Sequence, residues 1–141
     1  MNNQMLLKEG TWRAYGNYYD DKLNNIDLIL DLEIVKEGEG YKLSKISKLL
    51  LENSVEIYSD FIIEPLLQRD FTHIEEDNEL LGKLKGKLTI INDSFILNYS
   101  SEYENYSGTE VYSFKDNLLY SVKGLLYKDD IKVSSWFVRI K

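Results

Sequence analysis

Long stretches of this 141-residue chain alternate between apolar and polar side chains with a period of two residues. The clearest stretches are 26–35, 55–63, 80–91 and 95–103. A β-strand places successive side chains on opposite faces, so each stretch has one buried face and one solvated face. Such a division is typical of antiparallel sheets, and it constrains the fold more than any other feature of the sequence.

Short clusters of turn-forming residues separate these stretches at intervals of roughly ten to fifteen residues. They predict ten strands, near residues 10–20, 25–36, 41–51, 54–63, 66–75, 79–91, 94–103, 106–115, 118–128 and 131–141. No interval is wide enough for a crossover helix, and closure of the sheet would leave no unpaired edge strand. We therefore expect an all-β chain that forms a single antiparallel up-and-down β-barrel domain over 1–141. Residues 1–8 are expected to form a short helix or a plug at one barrel end.

The composition excludes several classes of function. The chain has no Cys and a single His, His73, which excludes disulfides, thiolate catalysis and sites built from two imidazoles. The net charge of -7 argues against a nucleic-acid partner, which would need a basic surface. No apolar run approaches the roughly 18 residues of a membrane-spanning helix, and no export signal is visible. We expect a cytoplasmic protein without a cofactor or a metal.

The first predicted strand contains Gly10-Thr11-Trp12, which resembles the Gly-x-Trp signature at the start of lipocalins and related calycins. In that superfamily the Trp packs at the closed end of the barrel against an Arg from near the end of the last strand. The resemblance implies that Trp12 and Arg139 close this barrel in the same way. A guanidinium over an indole contributes about 0.5–2 kcal/mol.

The sequence also departs from each of the calycin families. Lipocalins usually have about eight strands followed by a helix, whereas this chain is predicted to end on a strand. Fatty-acid-binding proteins carry an Arg-x-Tyr that binds a carboxylate, and the corresponding Ser135-Trp136-Phe137 lacks both groups. Nitrobindin-like barrels bind haem through a His near the C-terminus, where this chain has none. The resemblance therefore implies a calycin-like shell without a specific ligand chemistry.

Tyrosine accounts for 11 of the 141 residues, and several tyrosines fall on the face predicted to point inward. An interior tyrosine offers an apolar ring and a hydroxyl that needs a partner, which suits a ligand with a ring and a few polar groups. The residues predicted to bind such a ligand are Tyr18, Phe61, Phe71, His73, Tyr99, Tyr103, Tyr112, Tyr120 and Phe137. Because tyrosine is favoured on either face of a strand, a filled interior is the alternative.

The strand predicted near 66–75 has two equally good inner faces. Either Phe71 and His73 point inward, or Thr72 and Ile74 do. In the first arrangement His73 could act as a general base near neutral pH. No nucleophile elbow, phosphate-binding loop or metal-ligand spacing accompanies it.

Three functions are compatible with these observations. The leading hypothesis is non-catalytic binding of a small apolar or aromatic ligand inside the barrel. The alternative is a structural or protein-interaction module with a filled barrel, which would act through apolar residues on its outer face or through the tyrosine-rich hairpin of residues 98–110, with a homodimer as one such interaction. Those outward residues are predicted to be Ile29, Val35, Ile62, Leu81, Ile91, Leu119 and Leu125. The third is an enzyme that uses interior Tyr, Arg69 and His73, whereas the acidic run Glu75-Glu76-Asp77 is interpreted as a solvated hairpin tip.

Overall fold

The computed structural model describes residues 8–66, 70–116 and 118–140, and these form ten strands. The strands are β1 (Gly10–Tyr19), β2 (Asn25–Glu37), β3 (Gly40–Leu49), β4 (Val55–Ile63), β5 (Phe71–Asn78), β6 (Gly82–Ile91), β7 (Ser94–Ser101), β8 (Tyr106–Lys115), β9 (Leu118–Lys128) and β10 (Ile131–Ile140). Among these residues no helix is present that could cross a membrane. The all-β prediction is confirmed. The expected helix or plug over 1–8 and the role expected of Arg69 fall almost wholly outside the described residues.

Each strand pairs in antiparallel fashion with its neighbours along the chain, and β1 pairs with β10 to close the barrel. The closing ladder runs from Ala14 opposite Ile140 to Tyr19 opposite Ser135. The up-and-down barrel predicted from the hairpin rhythm is therefore confirmed. The closed order leaves neither β1 nor β10 as a free edge strand, which removes the edge that an open sheet would offer to other chains.

The up-and-down order places alternate turns at opposite ends of the barrel. The turns that follow β1, β3, β5, β7 and β9 share one end, which we call the open end; they comprise residues 20–24, 50–54, 79–81, 102–105 and 129–130. The interior near the other end is filled. There Phe95 stacks on Tyr112 with ring centroids 4.6 Å apart and lies 5.7 Å from Phe114. We call this the packed end.

Strand β5 points Thr72 and Ile74 inward, which resolves the ambiguity left by the sequence. Phe71 and His73 therefore lie on the outer face, and their prediction as interior residues is wrong. The two rings contact each other edge to face, with centroids 5.3 Å apart.

Three further aromatic residues predicted to point inward are exposed. Tyr103 lies in the turn 102–105 and is 88% exposed, while Tyr120 and Phe137 lie on the outer face. The register between β8 and β9 shifts between Ser113 and Phe114. A bulge reverses the alternation of inward and outward side chains along a strand. Val122 therefore points inward, although Tyr120, two residues away, points outward.

Two residues predicted on the outer face are covered. Leu119, on the far side of the same bulge, is buried in the core. Leu81 packs against the core from the turn 79–81. These two side chains therefore do not contribute to an apolar patch on the outer face.

The predicted contact between Trp12 and Arg139 does not form. Arg139 is paired with Tyr15 across the closing ladder and shares its outward direction, whereas Trp12 packs against the core. The Arg139 guanidinium instead donates to the Tyr120 hydroxyl at 3.4 Å. The Trp12 side chain points into the barrel and the Arg139 side chain points out of it, so the wall of the barrel separates them.

The difference between the two faces is testable with two phenylalanines. Phe95 is fully buried at the packed end, whereas Phe137 is 45% exposed. We expect Phe95→Ala to lower the free energy of unfolding by about 3–5 kcal/mol, because it leaves a cavity among packed rings. Phe137→Ala is expected to cost less than about 1 kcal/mol. Urea unfolding followed by circular dichroism measures both, and equal losses would contradict the assigned faces.

Candidate functional site

Three ionisable side chains meet inside the barrel on three different strands. Lys45 of β3, Glu76 of β5 and Glu110 of β8 all take the inward phase of their strands and are 7%, 3% and 0% exposed. Charged groups in an apolar interior are costly unless they are paired and hydrogen-bonded. We call these three residues, together with Ser59, the interior polar cluster.

The centre of the cluster is an ion pair between Lys45 and Glu110. Lys45 Nζ lies 2.7 Å from Glu110 Oε1, and the Trp136 indole donates to Glu110 Oε2 at 3.0 Å. The Tyr112 hydroxyl donates to Glu110 Oε1 at 3.3 Å. The ammonium also lies 5.3 Å from the centre of the Phe61 ring. Both oxygens of Glu110 thus have partners, and the ammonium is enclosed by a carboxylate and aromatic faces.

Glu76 is less completely satisfied. Its Oε2 accepts hydrogen bonds from the Ser59 hydroxyl and, at 3.2 Å, from Asn78 Nδ2. Its Oε1 is buried and has no partner among the described residues. Burial raises the pKa of Glu76, the Lys45 ammonium opposes that rise, and Glu110 adds to it. The interpretation of this residue as part of a solvated hairpin tip is wrong, because β5 continues to Asn78 and carries Glu76 into the barrel.

A cavity of about 100 Å³ lies next to the cluster, towards the open end. Most of its wall is apolar, formed by Tyr18, Leu28, Leu49, Ile57, Leu80, Leu81, Leu126 and Trp136. Its polar lining consists of Lys45, Ser47, Ser59, Asn78, Tyr99 and Ser134. An apolar wall with a few convergent polar groups is the usual composition of a small-molecule site.

Two glycines allow aromatic rings to lie flat against the wall of this cavity. A Cβ atom at Gly108 would lie 2.5 Å from Tyr99 Cε2, and one at Gly124 would lie 2.5 Å from Trp136 Cε2. Any larger residue would therefore push these rings into the cavity. Trp136 in turn stacks on Tyr18, with ring centroids 6.4 Å apart.

Tyr99 presents a hydroxyl at the boundary between cavity and cluster. Its ring is tilted against Phe61 at 6.0 Å, and the residue is 7% exposed. Burial, together with the charges of Glu110 and Glu76, holds the pKa of Tyr99 well above its usual value. The hydroxyl therefore keeps its proton at neutral pH and can donate a hydrogen bond.

The structure brings together only part of the predicted site. Tyr18 and Tyr99 line the cavity, and Phe61 and Tyr112 contact the interior polar cluster, Phe61 through Lys45 and Tyr112 through Glu110. The other predicted ligand-binding residues lie outside the barrel wall or in a turn. They are Phe71, His73, Tyr103, Tyr120 and Phe137.

Sequence reasoning missed the charged residues of the cluster and the indole above them. The sequence does indicate them, because Glu110 falls on the same strand face as the inward Tyr112, and Lys45 falls on the same face as the inward Leu43. A charged residue at a position where the alternation predicts a buried side chain is therefore the feature that identifies such a cluster. Within the described part of the chain no group of three carboxylate or imidazole side chains converges as a metal site requires.

The fold has a counterpart among solved structures. The S-type phycobiliprotein lyase CPES from Guillardia theta superimposes with a TM-score of 0.62 over 98% of this chain and 90% of that chain. The two sequences are 11% identical, so the likeness shows a shared barrel fold alone. No protein-family model and no curated protein matches the chain.

The buried ion pair can be tested by a double-mutant cycle. Lys45→Met leaves Glu110 without its ammonium, and Glu110→Gln leaves the ammonium without its carboxylate, so we expect each to cost about 3–5 kcal/mol of stability. The double variant is expected to cost clearly less than the sum of the two. The exposed pair of Arg13 and Asp31, also 2.7 Å apart, is the control and should show little coupling. Urea unfolding provides the free energies, and equally weak coupling in both pairs would contradict the role given to Lys45 and Glu110.

Proposed function

We propose that this chain is a calycin-type barrel that binds a small molecule with an aromatic or apolar body in the cavity at its open end. The observation that carries the proposal is the position of the interior polar cluster directly beside an apolar-walled cavity. A filled barrel needs no charges in its interior, and well-packed apolar residues are often as stable as a buried ion pair. Charges placed beside a cavity have a further use, because they can recognise the polar group of a ligand.

The size of the cavity limits the ligand. An engineered apolar cavity of about 150 Å³ is known to hold benzene, so about 100 Å³ suits a single ring that is only partly enclosed. The rest of the ligand would extend past the turn 79–81, where Leu80 lines the cavity and is 69% exposed. Tyr18 and Trp136 would face the ring, since both aromatic side chains line the wall.

The likeness to a phycobiliprotein lyase is consistent with a barrel that binds a small molecule. We assign no catalytic residue on the basis of that likeness. The hypothesis of an enzyme with His73 as an interior base is not supported, because His73 is exposed on the outer face. We therefore favour binding without catalysis. The cytoplasmic location and the absence of a nucleic-acid partner stay predictions.

A second function is favoured by one feature of the outer surface. Val35 and Ile62 lie on either side of Lys42 across three neighbouring strands, and they are 37% and 43% exposed. Apolar side chains that cluster on a surface are typical of protein interfaces. The homodimer predicted from the sequence would use this row, and a concentration-independent monomer in sedimentation equilibrium would exclude it.

A matched pair of substitutions on β4 tests ligand binding in the cavity. Ile57 lines the cavity, whereas its neighbour Tyr58 is 50% exposed. We expect Ile57→Trp to fill the cavity and to weaken the binding of benzyl alcohol at least about tenfold, a loss of about 1.4 kcal/mol. Tyr58→Trp adds a similar ring on the outer face and should leave binding unchanged.

Saturation-transfer NMR titrations of the two variants and the natural protein provide the dissociation constants. The same affinity in all three proteins would place the alcohol elsewhere on the molecule. Absence of binding to the natural protein would contradict a receptive cavity.

A further inference from the structure

We propose that the cavity selects ligands whose polar group is a protonated amine, and that Glu76 is the residue that receives it. This inference rests on the proposed function and adds the chemical class of the ligand. It also predicts which ligands are rejected, namely those that carry a carboxylate.

Hydrogen-bonding capacity is left over inside the barrel at Glu76. Both oxygens of Glu110 have partners, whereas Glu76 Oε1 is buried and has none among the described residues. Ser59 and Asn78, which hold the other oxygen of Glu76, both line the cavity. The carboxyl group of Glu76 therefore lies within hydrogen-bonding distance of two residues of the cavity wall. A ligand that brings a strong donor to this point would satisfy it, and a ligand that brings only acceptors would not.

The balance of charge inside the barrel also favours a cationic ligand. Among the residues that the structure describes, the interior holds two carboxyl groups, Glu76 and Glu110, and one ammonium, Lys45. That ammonium lies 2.7 Å from Glu110 and within 5.8 Å of the Trp136 ring centre, so it is already engaged. A carboxylate ligand would be a third carboxyl group sharing one ammonium with Glu110 and Glu76, whereas a cationic ligand would complete a second pair.

The aromatic wall of the cavity favours the same class of ligand. Tyr18 and Trp136 lie side by side in the cavity, and aromatic faces attract cations as well as apolar rings. A ring with a short aminomethyl arm meets both demands, since the ring can pack on the wall while the arm points to the cluster.

The selectivity should depend on pH in a defined direction. The groups that act on Glu76 are Ser59 of β4, Asn78 of its own strand, Lys45 of β3 and Glu110 of β8, and the tyrosines that face it are Tyr99 of β7 and Tyr112 of β8. Burial raises the pKa of Glu76, so its carboxyl group gains a proton at a higher pH than an ordinary glutamate. The neutral acid attracts a cation weakly, and the preference for an amine should fall as the pH is lowered.

The experiment compares three probes of similar size: benzylamine, benzyl alcohol and benzoate. Binding is measured by saturation-transfer NMR on the natural protein, on Glu76→Gln and on Glu75→Gln. The last variant removes the neighbouring carboxylate, which is exposed on the outer face, and it controls for net charge. We expect the natural protein and Glu75→Gln to bind benzylamine at least about tenfold more tightly than the other two probes. In Glu76→Gln the amine and the alcohol should bind equally.

The outcomes separate this inference from the proposed function. If benzyl alcohol binds in the cavity but benzylamine has no advantage, the inference is wrong and the binding function stands. If benzoate binds best, Lys45 and not Glu76 receives the ligand, which also overturns the inference. If none of the probes binds, both are overturned.

The pH series keeps the test independent of the folding of Glu76→Gln. In the natural protein the ratio of amine to alcohol affinity is expected to fall as the pH is lowered, and to begin falling at a higher pH than the titration of an ordinary glutamate would cause. A ratio that does not change with pH would contradict a role for Glu76.

Discussion

The pairing of β1 with β10 is the constraint on which the rest of the structure depends. It converts an antiparallel sheet with two open edges into a sealed wall. From that point each inward side chain is surrounded by other inward side chains, and each outward side chain meets the solvent. The buried phenylalanines at the packed end and the buried charges near the open end result from the same closure.

Closure also changes the free-energy cost of placing a charged residue on the inner face. On an open sheet, a lysine such as Lys45 would reach water at little cost, whereas inside the barrel it needs a partner. Glu110 supplies that partner at 2.7 Å, and the indole of Trp136 and the hydroxyl of Tyr112 complete the coordination of the carboxylate. Glu76 is the member left with an unused oxygen. Ser59 and Asn78, which bind the other oxygen of Glu76, line the cavity together with Tyr99, so the proposed ligand binding depends on these groups.

Most of the fold could be predicted from the sequence, because the period of two is a direct consequence of strand geometry. The sequence did not contain the positions of the bulges, which depend on pairing between distant strands. The shift between Ser113 and Phe114 is the example, since it turned Tyr120 outward and Leu119 inward. The end of β5 was misjudged for a related reason. Three acidic or amide residues in succession are typical of a turn, yet pairing with β6 extends this strand to Asn78.

The candidate site was predictable only in its aromatic part. Tyr18 and Tyr99 were found because rings in the inward phase are expected to line a barrel. Lys45 and Glu110 were missed because a pattern of apolar and polar residues treats every charge as exposed. Only the three-dimensional structure shows that these two residues, which are 65 positions apart in the chain, are within hydrogen-bonding distance.

The most direct measurement of the central claim is a titration of the ¹⁵N-labelled protein with benzyl alcohol, followed through the two indole N–H signals. Trp136 lines the cavity and donates to Glu110, whereas Trp12 lies near the start of β1, towards the packed end. The account predicts a saturable shift of the Trp136 signal and a Trp12 signal that stays in place. A shift of Trp12 alone, or no shift of either signal at a saturating concentration, would contradict a binding cavity at the open end.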